Sequence, residues 1–206
     1  MTDFLNLTDY EVKTSAQETL DFFSRSTLLE KADLLKEAKN IRFSHDKLIF
    51  DGVEMNAYFA SVAADFIRTK LIEDKKSFSF ETVMSSPDKI ELLRKARAKG
   101  YRTYLYYVAT EDFAINIARI RQRVKMGGHP VPEDKVASRY QRSLDLLLPA
   151  VQNSNRAYIF DNSGHELIWL AEITNGKTLE MKNEASIPMP LWFRKSLWEK
   201  FHITQQ

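Results

Sequence analysis

Residues 115–144 have the sequence INIARIRQRVKMGGHPVPEDKVASRYQRSL, which is the most strongly patterned stretch of the chain. Two segments with helical spacing flank a short break that contains two glycines and two prolines. Arginines recur at helical intervals on both sides of the break, so that several of them share a helix face. They are Arg119, Arg121 and Arg123 before the break, and Arg139 and Arg142 after it. The pattern predicts two basic helices joined by a hinge, forming a lid.

Few acidic residues interrupt this basic region. Between Arg94 and Arg142 there are twelve Lys or Arg and four Asp or Glu, a local net charge of +8, whereas the whole chain carries +2. Like charges at helical spacing repel one another, and the planar guanidinium group donates two parallel hydrogen bonds to a phosphate. A small phosphate-bearing anion is therefore one expected ligand. The alternative, which spacing alone leaves open, is that these arginines are the solvated faces of two amphipathic helices.

Nucleic acid is a less favoured partner for the same region. A broad nucleic-acid footprint usually makes a whole domain basic, whereas here the excess is local, as suits a nucleotide. Binding of RNA or DNA would be recognised by an affinity that falls steeply with salt.

Composition limits the class of protein. A chain of 206 residues predicts a single domain spanning 1–206. The absence of cysteine excludes disulfides and thiolate metal sites, and the four histidines have no metal-ligand spacing, so that no metal site is predicted. No apolar run approaches the roughly 18 residues of a membrane span, and no signal peptide is evident. We expect a cytoplasmic protein without a membrane anchor.

The middle of the chain alternates between helical and strand patterns. Residues 54–74 follow the helical period, SFSFET (77–82) and YRTYLYYVA (101–109) have strand patterns, and the helix between them is expected to begin at Ser86-Pro87 and end before Gly100. This alternation predicts an α/β fold with a largely parallel sheet and helices on both faces.

In such a sheet, ligands bind beyond the carboxyl ends of the strands. Glu81 and Thr82 lie at the end of one predicted strand and Glu111 lies just after the next, so all three are candidate binding residues. Each carboxylate has an alternative role as a helix cap or an ordinary loop acid.

The two ends of the chain add smaller elements. FLNLTDYEV (4–12) predicts a short strand ending near Asp9, and helices are expected at 14–23 and 28–38. Thr14 or Ser15 can cap the first of these helices, and Gln17 or Glu18 can close a capping box. Alternation around 41–50 predicts a hairpin, and 28–50 is a candidate insertion. Residues 165–206 are predicted to form a second hairpin, turning at Asn175-Gly176, and an amphipathic terminal helix.

Three segments together resemble the zeta-toxin family of P-loop kinases: FSFET, the stretch from Arg121 that contains RVKMGGHPVP, and SRYQRSL. The resemblance is strongest over 54–164 and is weaker for FLNLTDYEV. It implies a P-loop-kinase-like three-layer sandwich and transfer of a phosphoryl group from ATP, with Mg²⁺, to a hydroxyl group of a small acceptor such as UDP-N-acetylglucosamine. A nucleotide, this acceptor and an antitoxin protein are the partners that it implies.

The resemblance also implies roles for individual residues. Asp9 would accept the proton of the acceptor hydroxyl, while Glu81 and Thr82, with Glu111 nearby, would hold the acceptor. The remaining assignments are phosphate clamping by Arg121, Arg123, Arg139 and Arg142, and nucleotide binding by Arg119, Arg123 and His129. For His129, a hydrogen bond that stiffens its loop is an equal alternative.

One family motif is not found where it is expected. The Walker A loop, G-x-x-x-x-G-K-S/T, should precede the strand that ends near Asp9, and Gly176-Lys177-Thr178 resembles only its end, in a predicted hairpin turn. Either the segment that carries this loop is missing from the chain, or the protein has lost it. We favour the first, since a sheet without its central strand would expose apolar faces and open edges. The alternative function is a non-catalytic module of the same fold that binds a nucleotide or a partner.

Overall fold

The computed structural model describes residues 3–182 and 188–203. Its contacts group the chain into two units, Met1–Ser79 and Phe80–Gln206. The prediction of one domain over 1–206 stays a prediction.

The first unit contains a small antiparallel sheet. Its three strands lie in the order β1-β3-β2, with β1 at Asp3–Asn6, β2 at Arg42–Ser44 and β3 at Lys47–Phe50. The hairpin predicted around 41–50 is confirmed as the β2–β3 pair, and its turn residues His45 and Asp46 have positive φ angles of 51° and 57°. Such turns match the right-handed twist of the paired strands.

Asp9 does not lie at the end of a strand. β1 stops at Asn6, and a 3-10 helix follows at Leu7–Tyr10. The Asn6 amide explains this early end, because its oxygen accepts a hydrogen bond from the Thr8 hydroxyl at 2.9 Å and its nitrogen donates one to Asp9 Oδ1 at 2.8 Å. Side chains of Asn and Asp offer the backbone such local alternatives to a sheet.

Four helices cover the rest of the first unit: α1 (Ala16–Ser24), α2 (Thr27–Lys31), α3 (Leu35–Ala38) and α4 (Ala57–Glu73). α1 begins with the predicted N-cap at Ser15, whose Oγ accepts a hydrogen bond from the Glu18 amide at 3.1 Å. The single helix expected at 28–38 is two helices, because Asp33 adopts a positive φ of 56° between them. α4 confirms the helix predicted at 54–74.

The second unit contains a four-stranded sheet in the order β4-β5-β6-β7. Its strands are β4 (Tyr104–Ala109), β5 (Arg156–Asp161), β6 (Ile168–Thr174) and β7 (Thr178–Met181). Only β4 and β5 pair in parallel, so the prediction of a largely parallel sheet is wrong for the described residues. A parallel crossover needs a dozen or more residues, and the connections after β5 and β6 are too short for one.

The helices of the second unit are α5 (Asp88–Ala98), α6 (Phe113–Lys125), α7 (Glu133–Gln152), α8 (Leu191–Phe193), a π-helical turn (Arg194–Trp198) and α9 (Glu199–Ile203). The predicted terminal helix is thereby confirmed over 191–203, and residues 204–206 lie outside the described part of the chain. Leu147 of α7 and Phe193 of α8 are fully buried and pack with Leu105 and Ile159 of the sheet. No helix within 3–182 and 188–203 is long and apolar enough to cross a membrane.

On the other face of this sheet, several of the described side chains are exposed. On β4, Tyr104 is 48% exposed, Tyr106 67% and Val108 52%, and the ring of Tyr106 stacks on that of Tyr158 at 4.8 Å between centroids. Helices on both faces are therefore not found for the described part of this sheet. Aromatic side chains favour strands whether or not both faces are covered, which is why the sequence pattern did not reveal the exposed side chains.

The prediction of a strand at SFSFET (77–82) is also wrong. Residues 76–85 have no regular secondary structure. Alternating side chains favour a strand, but a strand also needs a neighbour in hydrogen-bonding register, and the two described sheets consist of β1 to β7. Glu81 and Thr82 therefore lie in an irregular segment instead of at a strand end.

The predicted turn at Asn175-Gly176 is confirmed between β6 and β7, with φ angles of 53° and 64°.

We expect Gly176→Ala to lower the free energy of unfolding by about 1–3 kcal/mol, because an added Cβ would strain this backbone conformation and crowd the backbone of Gln152. That Cβ would lie 2.7 Å from Gln152 Cα. Urea denaturation measures the change. Gly164→Ala is the control, because its Cβ would meet nothing within 4 Å; equal midpoints for the two variants would contradict the prediction.

Candidate functional site

α6 and α7 confirm the two predicted basic helices and the break between them. The Asp112 carboxylate caps α6 by accepting a hydrogen bond from the Ala114 amide at 2.7 Å. α6 ends at Lys125, and Gly127 then adopts a positive φ of 92°. No residue of α6 is fully buried.

Arg121 and Arg123 connect the two sides of the break. Arg121 Nε donates to Glu133 Oε1 at 2.9 Å, and Arg123 Nη2 donates to the carbonyl oxygen of His129 at 3.0 Å. Gly128 allows this close approach, because a Cβ there would lie 2.7 Å from Arg123 Cγ. The loop is thus ordered through the backbone of His129, and its imidazole is not part of that bond.

Arg119 holds the loop that follows β5. Its Nη2 atom donates to the carbonyl oxygen of Asn162 at 2.8 Å and to that of Gly164 at 3.4 Å. This contact fastens α6 at the carboxyl end of β5, where ligands of parallel strands are usually found.

On α7, Arg139 and Arg142 are both exposed and lie three residues apart. Arg142 Nε donates to the carbonyl oxygen of Ser85 at 3.1 Å, which brings α7 to the segment that contains Glu81 and Thr82. The Thr82 hydroxyl oxygen accepts a hydrogen bond from the Met84 amide at 3.2 Å. Arg142 thus contacts the irregular segment in which the predicted acceptor-binding residues lie. Arg139 is exposed on the same helix.

Glu111 acts as a helix cap. Its two carboxylate oxygens each accept a hydrogen bond from the Leu191 amide at 3.1 Å, at the start of α8. A carboxylate at a helix N-terminus is stabilised by the orphan amides there. The sequence left open whether Glu111 binds a ligand or serves as a helix cap or loop acid, and the structure shows it as a cap.

Asp161 is a buried carboxylate that the sequence analysis missed. It lies at the carboxyl end of β5 and is 4% exposed. Trp192 Nε1 donates to its Oδ1 atom at 2.7 Å, and the Ser163 hydroxyl donates to the same oxygen at 2.8 Å. Ser163 Oγ in turn accepts from the Glu111 amide at 2.7 Å. The signal available in the sequence was an Asp at the end of a strand of largely apolar residues.

Two tyrosines join α7 to β4, and they were also missed. Tyr140 Oη donates to the carbonyl oxygen of Thr110 at 2.7 Å, and Tyr107 Oη lies 2.9 Å from Ser143 Oγ. Burial raises the pKa of Tyr107 and of Tyr140 to about 12. Both hydroxyls are therefore neutral hydrogen-bonding groups at any working pH.

Asp9 belongs to the first unit, whereas the other predicted site residues belong to the second. Its carboxylate is exposed and is oriented by the hydrogen bond from Asn6.

The chain offers no preformed magnesium site in the residues described. Within 3–182 and 188–203 there is no group of three or more His, Cys, Asp or Glu side chains that could hold a metal ion. Gly176-Lys177-Thr178 forms the predicted hairpin turn and not a phosphate-binding loop. Arginine guanidinium groups on α6 and α7 fit an anion, and they do not fit a metal cation.

Comparison with known proteins adds sequence relationships to this geometry. A segment of 69 residues, 34% of this chain, is 36% identical to an uncharacterized protein of Haemophilus influenzae (strain ATCC 51907 / DSM 11121 / KW20 / Rd). This segment spans about half of that relative, 49% of its length. No solved structure matches the chain.

The sequence profile described as "Zeta toxin" matches residues 50–174, which is more than half of the chain. The match includes the irregular segment 76–85, both basic helices and the strands β4 to β6. The chain therefore belongs to the zeta toxin family.

Proposed function

We propose that this protein binds a nucleoside triphosphate, ATP, through the arginines of α6 and α7 and transfers its terminal phosphoryl group to a hydroxyl group of a small acceptor. Family membership supports a kinase-like nucleotide-binding function. The observation that carries the proposal is that the match covers the basic helices together with the 76–85 segment, to which Arg142 is hydrogen-bonded.

The arginines of α6 and α7 suit the chemistry of phosphoryl transfer. Phosphoryl transfer needs little covalent participation from the protein, and depends on positioning and on cations around the migrating charge. Guanidinium groups remain protonated and donate parallel hydrogen bonds to phosphate oxygens. Arg123, Arg139 and Arg142 are the proposed phosphate ligands, with Arg121 once it leaves Glu133; Arg119 and His129 are proposed to border the nucleotide.

The acceptor side of the proposal rests on the family resemblance. Glu81 and Thr82 would bind the acceptor, for which UDP-N-acetylglucosamine is the first candidate, while Glu111 would support the site as the cap of α8. Asp9 would take the proton of the acceptor hydroxyl as its oxygen forms a bond to phosphorus and the bond to ADP breaks. An antitoxin-like protein that blocks the basic helices is part of the same proposal.

The test is to mix the protein with ATP, Mg²⁺ and UDP-N-acetylglucosamine and to measure ADP and phosphorylated sugar. Stoichiometric formation of both is expected. The variant Asp9→Asn removes the proposed base, and we expect it to retain ATP binding and to lose phosphoryl transfer. ATP consumption that is equal with and without an acceptor, across amino sugars and nucleosides, would contradict the transferase proposal.

A non-catalytic binding module is the second candidate. The observation in its favour is that Arg119, Arg121 and Arg123 already bond to groups of the protein, Arg119 to the loop after β5 and the other two across the break between α6 and α7. Nucleotide binding that is indifferent to Mg²⁺, measured by calorimetry, with no ADP formed, would support this candidate over the kinase.

The Arg121–Glu133 ion pair gives a prediction about affinity. We expect Glu133→Gln to strengthen ATP binding by roughly 1.5- to 5-fold at low salt, because an exposed pair of this kind is weak and its loss frees a cation for phosphate. Calorimetric titration at two salt concentrations measures the change, which should shrink with salt. Glu91→Gln is the matched control, since Glu91 pairs with Arg94 on α5 at similar exposure. An equal gain in both variants would indicate a general charge effect and contradict the prediction.

A further inference from the structure

Two hydroxyl hydrogen bonds fasten the basic helix α7 to strand β4. Tyr140 reaches the carbonyl oxygen of Thr110, at the carboxyl end of β4, and Ser143 meets the hydroxyl of Tyr107 in the middle of that strand. Tyr140 and Ser143 are three residues apart, so they share a helix face. Leu144 and Leu147 continue that face into the core.

Arg139 and Arg142 each precede one of these two anchoring residues. Successive residues of a helix are separated by about 100° of rotation and 1.5 Å of rise. A small rotation or slide of α7 would therefore displace both guanidinium groups by several ångströms. Past the Tyr140 anchor toward its N-terminus, α7 has one further buried residue, Val136, so that few apolar contacts can replace the hydroxyl bond.

The anchor is also connected to the end of the sheet. Tyr140 Oη lies 3.2 Å from the carbonyl oxygen of Glu111, its second acceptor, and its ring packs against Phe113 of α6 at 6.2 Å between centroids. One side chain thus contacts the first turn of α6, the end of β4 and the arginine-bearing turn of α7. Hydrogen bonds from a supporting group can set the geometry of the groups that contact a ligand.

We infer that Tyr140 is a positioning residue, whose hydroxyl group sets Arg139 and Arg142 for binding of the nucleotide phosphates. This inference rests on the proposed nucleotide-binding function and deepens it. Tyr140 acts through the arginines and need not touch the nucleotide.

The experiment compares Tyr140→Phe with the control Tyr104→Phe, which removes an exposed hydroxyl from the same unit. Calorimetric titration with ATP and Mg²⁺ is expected to show affinity reduced roughly 3- to 10-fold in Tyr140→Phe, as for loss of one hydrogen bond, and unchanged in the control. The substitution is repeated in the background Arg139→Ala/Arg142→Ala. There it should have no further effect, because a residue that acts only through the arginines loses its influence with them.

The same loss of affinity in both backgrounds, or no loss in either, would overturn the inference.

Hydrogen exchange of the free protein gives a measurement that does not require nucleotide binding. The amides of residues 135–142 should exchange faster in Tyr140→Phe, while those beyond Leu144 keep their protection. Unchanged protection at 135–142 would also overturn it. If the unmodified protein fails to bind ATP, the proposed function is rejected on that ground, and the exchange pattern still decides whether Tyr140 orders the arginines. Ser143→Ala, a second variant of the same pair of anchors, is expected to show the same pattern of exchange.

Discussion

A variant in which Arg139 and Arg142 are both replaced by Ala is expected to transfer phosphoryl groups on the order of 10³-fold more slowly, since arginine contacts to a migrating phosphoryl group have effects of that size. ATP binding should weaken as well, and its dependence on salt should become less steep because two cations are lost. Initial rates of ADP formation and calorimetric titrations measure the two effects.

The control for this variant is Arg94→Ala/Lys95→Ala, which removes the same charge from exposed positions on α5. It should leave rate and affinity close to those of the unmodified protein. Thermal unfolding of both variants separates loss of the site from loss of the fold, because Arg142 also bonds to Ser85. Equal rates in the two variants would show that charge in general, and not its place on α7, matters, and would contradict the proposed phosphate site.

Replacement of Leu147 by Ala is expected to give one of the largest losses of stability, about 2–5 kcal/mol in the free energy of unfolding. Leu147 is 0% exposed and lies in the core of the second unit, between α7 and the sheet. The loss combines the transfer free energy of the deleted carbons with the cost of the cavity that remains. Urea denaturation followed by tryptophan fluorescence measures it.

Leu167→Ala is the matched control, because that side chain is 57% exposed. Its substitution should change the free energy of unfolding by less than about 0.5 kcal/mol. If Leu147→Ala unfolded at the urea midpoint of the control, the helical layer on this face would contribute little to stability, and the prediction would be contradicted.

Features that depend on near neighbours in the chain were predictable. The N-cap at Ser15, the turn at Asn175-Gly176 and the break between α6 and α7 each involve residues a few positions apart. Their geometry follows from local hydrogen bonds and from the conformational freedom of glycine, which the residue types already express. The misplaced end of β1 is the counterexample, because Asn6 and Asp9 offered a competing local structure.

The direction and covering of the strands were not predictable in the same way. Tyr106 and Tyr107 alternate in the sequence as in any strand, yet the first is 67% exposed and the second 6%. Pattern alone shows that the two side chains point to opposite faces, and not whether a helix covers each face. Residues 76–85 have the alternation of a strand without becoming one, because pairing is decided by segments that lie elsewhere in the chain.

For the site, the sequence by itself determined which arginines share a helix face, where the helix pair breaks, and the family to which the chain belongs, since each depends on residue types at short, regular spacing. Only the tertiary structure decided what those side chains contact: Arg142 reaches Ser85, Tyr140 reaches Thr110, and Glu111 caps a helix eighty residues later in the chain. These contacts join distant segments, and their free energy depends on burial and hydrogen-bond geometry that exist only once the segments are packed together.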